Sequence, residues 1–69
     1  MEDHICQLIK SKRKSKSLTQ HQLGELMGYE GKVAERMVQS WEYRERPVPI
    51  EKLRKLAEVL DLTLDDLIP

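Results

Sequence analysis

Apolar residues recur along this chain at intervals of three and four, and no alternating run of the β type stands out. Ile5, Leu8 and Ile9 set the first helical stripe and predict a helix over residues 3–14. Ser15 and Ser17 loosen the chain after it. Thr19 is a good N-cap for a second helix carrying Leu23, Leu26 and Met27, and Gly28 suits the left-handed residue that ends it. Val33, Met37 and Trp41 then lie four apart. Ala34 and Val38 widen that stripe into an amphipathic helix over about 32–43. Its other face carries Glu35, Arg36, Gln39, Ser40 and Glu42. Residues 44–49 form a loop, because Pro49 holds Val48 in extended geometry. Leu53, Leu56, Ala57 and Leu60 mark a fourth helix over 50–60. Thr63 and Asp66 have the spacing of a capping box for a last turn bearing Leu64, Leu67 and Ile68. The pattern predicts an all-α fold of five short helices.

The chain has 69 residues, the size of one domain. With 39% hydrophobic and 35% charged residues it suits a small globular protein. A core this small supplies only a few kcal/mol of net stability, roughly 3–5. Cys6 is the only cysteine, so no disulfide can add to it, and oligomerisation is a natural expectation. A lone thiol, no apolar run approaching the ~20 residues of a membrane span, and no signal-peptide core all point to a cytoplasmic protein. Net charge is zero, but it is unevenly spread. Residues 1–17 hold five basic and two acidic side chains, a net of +3, whereas residues from Glu51 onward hold three basic and five acidic, a net of −2. A basic front and an acidic back orient a molecule on a polyanion; two solvated faces are the plainer reading.

Candidate chemistry is sparse. His4 and His21 fall on the outer faces of the first two helices, and neither has a nucleophile with an orienting acid beside it. His4 and Cys6 are too few ligands for structural zinc, and Cys6 fits a small buried or half-buried apolar role. Gly24, Gly28 and Gly31 follow no strand, so they form no phosphate loop, and the acidic tail lacks calcium-loop spacing. The expectation is a protein without enzymatic activity, metal or cofactor. Recognition by a surface helix remains. An α-helix fits the major groove of B-form DNA when it has an apolar back and a polar front with long donors and acceptors. Residues 32–43 have both, as would an ordinary core helix with a solvated face.

The string LTQHQLGELMG, from Leu18 to Gly28, resembles the helix-turn-helix of the Cro and phage-repressor family. So do Trp41-Glu42 followed by a basic loop with Pro47, and the closing IEKLRKLAEVLDLTLDDLI. The likeness runs from about Ile5 to Ile68. It implies a five-helix, lambda-repressor-like domain in which Leu23, Leu26, Val38 and Trp41 share a core with Leu53, Leu56 and Leu60. Glycine at position 24, mid-helix, costs ~1 kcal/mol against alanine, which makes sense if the third helix crosses close above it. The family usually has a small residue there, most often alanine. One departure stands out. The family places about nine residues between the turn glycine and the residue equivalent to Trp41, whereas Gly28 and Trp41 are thirteen apart. Four extra residues make slightly more than one helical turn, and Val33 continues the stripe. Either the recognition helix is longer or the loop around Gly31 is.

Counted back from Trp41, the family's base-reading positions fall on Glu35, Arg36 and Ser40, with Lys32 and Gln39 as neighbours. Arg36 suits guanine O6 and N7; Glu35 suits cytosine N4, or else a salt bridge or solvent. Gln20 matches the family's phosphate-binding glutamine at the start of the second helix, with backbone amides assisting. Arg44 and Arg46, and Lys10 and Arg13, are further phosphate candidates, though any lysine can equally be a solvated charge. The resemblance implies a transcriptional regulator, a repressor, binding double-stranded DNA as a homodimer on an inverted repeat. Leu62, Leu64, Leu67 and Ile68 are the expected dimer surface, or else pack internally. The rival reading is a protein-interaction module such as an antitoxin or adaptor, which zero net charge and the acidic end favour.

Overall fold

The computed structural model describes residues 3–43 and 45–67, with side chains from residue 5 onward. Arg44, Ile68 and the side chain of His4 lie outside the described residues. Five α-helices follow one another: α1 (Asp3–Ser15), α2 (Gln20–Leu26), α3 (Gly31–Glu42), α4 (Ile50–Leu60) and α5 (Leu64–Leu67). Among the described residues there is no strand. The all-α, lambda-repressor-like expectation holds, and α4 has the predicted bounds.

Local chemistry explains the boundaries. Thr19 and Gln22 form a full capping box: Gln22 N donates to Thr19 Oγ1 at 3.0 Å and Thr19 N to Gln22 Oε1 at 2.8 Å. Thr63 and Asp66 repeat the arrangement before α5, at 2.9 and 3.2 Å. Helices α1, α2 and α4 all end through a left-handed residue that turns the chain so that the next two amides meet the last carbonyls. After α2, Gly28 (φ 100°) lets its own N–H reach Glu25 O at 3.0 Å and that of Tyr29 reach Gly24 O at 3.1 Å. Ser17 (φ 59°) and Asp61 (φ 57°) do the same after α1 and α4. The pattern of glycines foretells only the first of these three.

Helices α2 and α3 pack most closely; α1 lies against α3 and α4, and α5 closes on α4. The core is Ile9, Leu23, Met27, Val38, Trp41, Leu56, Ala57, Leu60 and Leu67, with Ala34 also buried. Tyr29, in the turn, meets Trp41 edge-on with ring centroids 6.1 Å apart. Lys52 of α4 sits over the Tyr29 ring at 4.8 Å and donates to Met27 O at 3.0 Å. A cation thus meets the negative end of α2 and ties the turn to α4.

Two stripe residues are not core. Leu26 is 48% exposed and Val33 53%. Leu26 points off the side of α2 away from α3. Val33 stands in the first turn of α3, on the flank that carries Lys32 and Arg36 rather than Ala34. Leu53 is only partly buried against the core. Leu67, expected at a dimer surface, is instead 2% exposed and part of the core, because the short α5 turns it inward.

The four additional residues lengthen the helix, not the loop: α3 has 12 residues and begins at Gly31. Its first turn therefore runs over α2, where backbone meets backbone. A Cβ on Gly24 would lie 2.2 Å from Ala34 O and 2.6 Å from its Cα. Even alanine does not fit there, which explains glycine where the family favours alanine.

Candidate nucleic-acid interface

Helix α3 presents its polar side to solvent because Ala34, Val38 and Trp41 hold the opposite side in the core. Lys32, Glu35 and Arg36 are exposed, Gln39 is half-buried beside α2, and Tyr43 ends the stripe at 58% exposure. These positions are spaced by three and four, so they form one outward face. Lys32 and Arg36 make no hydrogen bond or ion pair with any described residue, leaving both cations free to meet a ligand.

Beside this face runs a chain of polar side chains drawn from three helices. It starts at Glu42, which follows Trp41 on α3 and is turned inward at 7% exposure. A carboxylate so placed needs a cation and several donors. Arg13 of α1 supplies them: its Nε lies 2.6 Å from Glu42 Oε2 and its Nη2 donates to Oε1 at 3.3 Å. The remaining guanidinium nitrogen, Nη1, donates to Leu18 O at 2.7 Å. Gln20, the first residue of α2, donates from Nε2 to Glu42 Oε1 at 3.1 Å and accepts at Oε1 from Gln39 Nε2 at 3.2 Å. Gln39 Nε2 also donates to Glu35 Oε2 at 3.0 Å. The chain fixes α2 against α3 and reaches the exposed face at Glu35.

This geometry corrects two sequence expectations. Arg13 is no phosphate ligand: at 7% exposure, its whole fork is engaged by Glu42 and Leu18. Ser40 is no base reader. It is 7% exposed, its hydroxyl donates to Met37 O at 2.7 Å, and its carbonyl accepts from Glu45 N and Arg46 N as the following loop folds back over it. The other positions divide by placement. Lys32, Glu35, Arg36 and Gln39 are brought together on α3, with Gln20 joined to them through Gln39. The Lys10 and Arg46 side chains are exposed with no partner among the described residues, and neither is bonded to that cluster. The amides at the start of the seven-residue α2 are partly committed, since Gln22 N is held by Thr19. Leu62 is half-buried and Leu64 38% exposed.

Sequence reasoning did not single out the Arg13–Glu42 pair, nor Lys52 as a cap. The available signal was Glu42 itself, a carboxylate adjoining the inward-facing Trp41. Ile50, 84% exposed at the start of α4, was likewise unremarked. Among the described residues, no three His, Cys, Asp or Glu side chains gather as a metal would require. No helix there is long and apolar enough to cross a membrane.

A family model described as Helix-turn-helix matches residues 9–67. No curated protein and no solved structure matches the chain.

Proposed function

The chain belongs to the Cro-type helix-turn-helix family of DNA-binding domains, and from that premise we propose that it is a sequence-specific transcriptional repressor. In this reading α3 lies in the major groove of double-stranded DNA. Lys32, Glu35, Arg36 and Gln39 face base edges, while Gln20, Lys10, Arg46 and Arg44 approach phosphates. The observation that carries it is the unengaged pair of cations, Lys32 and Arg36, on the outward side of a helix held in the core by Ala34, Val38 and Trp41. Arg36 suits a guanine, whose O6 and N7 match its fork.

The repressor would act as a homodimer on an inverted repeat, blocking promoter access. Half-sites one helical turn apart put the two copies about 34 Å centre to centre. The longest extent of one copy, 31 Å between Cα atoms, is comparable to that spacing. Leu62 and Leu64 are the described leucines left to join the two copies.

A salt series tests this reading. The logarithm of affinity for a selected duplex should fall linearly with the logarithm of salt, at nearly one unit of slope per phosphate contact. A protein-binding module, which zero net charge and the acidic C-terminal stretch favour, would show no duplex affinity even at low salt.

A further inference from the structure

The hydrogen-bond chain beside α3 has a chemical direction. Glu42 and Glu35 stand at its ends, and a carboxylate only accepts. Gln20 must therefore turn its NH₂ to Glu42, which leaves its carbonyl oxygen toward Gln39. That oxygen also only accepts, so Gln39 must answer with its own NH₂. Glu35, on the other side, makes the same demand. The two N–H bonds of Gln39 are thus both taken, one by Gln20 and one by Glu35. Turning the amide over would set oxygen against oxygen at both contacts. Gln39 Oε1 has no donor among the described residues. It is also not buried, since Trp41 Nε1 is the sole buried side-chain nitrogen or oxygen without a partner there. Glu35 Oε1 likewise has no donor among the described residues.

We propose that Gln39 is locked as a hydrogen-bond acceptor, and that with Glu35 it makes the α2-side edge of the reading face select exocyclic amino groups: adenine N6 or cytosine N4. Free glutamine reads adenine with both ends of its amide, or turns over for a base edge that accepts. Here the donor end is withdrawn. Guanine O6 and thymine O4 would bring an oxygen against Gln39 Oε1 and the Glu35 carboxylate, so keto bases are rejected at this pair. Lys32 and Arg36 keep the donor role elsewhere on the same helix. Gln20 is the positioning residue, because it holds the Gln39 amide through a contact that never touches the base. The inference rests on the reading of α3 as the groove helix.

Selection of bound duplexes from a random pool, with the intact protein at fixed salt, tests it. The wild type should enrich adenine or cytosine at one position per half-site and exclude guanine and thymine there. Deleting that amino group, by placing purine for adenine or 2-pyrimidinone for cytosine, should weaken binding roughly three- to ten-fold, the size of one hydrogen bond. In Gln39→Ala the same deletion should change affinity less than about two-fold, well below that value. Gln20→Ala frees one N–H of Gln39 to donate to a base, while Glu35 still holds the other, so keto bases should become tolerated at that one position. Thermal melting of each variant separates altered preference from loss of fold. If the wild type selects a clear site but no amino deletion loses its effect in Gln39→Ala, this inference fails and the DNA-reading proposal stands. Uniform weakening by Gln20→Ala, with keto bases still rejected, overturns the lock. If the wild type binds no duplex, the proposed function fails too.

Discussion

Helices α1 to α3 meet around a buried carboxylate, an arginine and two glutamines, whereas α4 and α5 meet around leucines. In the first region each partner is fixed in direction as well as in distance: a guanidinium on one carboxylate, an amide that fits only one way round, a glycine with backbone pressed on it. In the second, Leu56, Ala57, Leu60 and Leu67 fill volume, and any side chain of the right size and polarity would serve nearly as well. Directional bonds set the angle between α3 and its support, which base reading by α3, as proposed, would require. Apolar packing supplies stability with little demand on orientation. The contrast predicts that damage to the first region alters what is read and damage to the second alters only how much protein is folded.

The largest effect is expected from Arg13→Ala. Removing one partner of a buried pair costs about 3–5 kcal/mol, comparable to the whole net stability of a chain this short. Circular dichroism should find the variant largely unfolded at 25 °C. Replacing both partners, Arg13→Met with Glu42→Leu, should restore the melting transition yet leave sequence preference relaxed, since Gln20 loses its anchor. A double variant that keeps full preference would show that the polar chain does not set the reading angle. Next is Leu56→Ala, a fully buried leucine, at about 2–5 kcal/mol. Denaturant titration should register that loss, while the molecules still folded should bind with unchanged base preference. Gly24→Ala should cost about 1–3 kcal/mol through overpacking, despite the better helix propensity of alanine. If this variant is more stable than the wild type, α2 and α3 do not cross as closely as described.

The smallest effect concerns the Lys16–Asp61 pair, 2.7 Å apart on the surface. The Lys16 hydrogen bond, then the Lys16 charge, with a smaller share from Lys12, holds the Asp61 carboxyl below its ordinary value of 3.8. A folded value below the unfolded one stabilises at pH above 3.8 and loses that contribution as pH falls through the lower folded value. Asp61→Asn keeps a residue tolerant of the left-handed turn, so it should melt slightly lower than the wild type at pH 7. The difference should shrink with acid and with added salt. A gap that persists in strong acid would point to the turn, not the charge.

The sequence made the helices legible because their apolar spacing is regular, and α4 is the clearest case. It made the long α3 legible only as an alternative, since an extra turn and a longer loop leave the same spacing behind. What it hid depends on neighbours far along the chain. Arg13 sits in a run of basic residues, and nothing local distinguishes it from the lysines around it. Val33 and Leu26 carry the helical period but stay about half exposed. Ser17 and Asp61 adopt the conformation that Gly28 advertises, without being glycine. The outward face of α3 was readable from its periodicity; the hydrogen bonds that orient it were not, because three helices contribute to them.

Trp41 is the sole indole of the chain, 1% exposed, and its N–H has no acceptor among the described residues. An indole in so dry a setting emits toward the blue and shifts red once water reaches it. The molecule thus carries its own optical gauge, mounted on the rear of the helix proposed to meet DNA. Unfolding would move the emission, whereas a duplex seated on the opposite side would leave it almost untouched, so one spectrum could tell a collapsed variant from one that has merely lost its target.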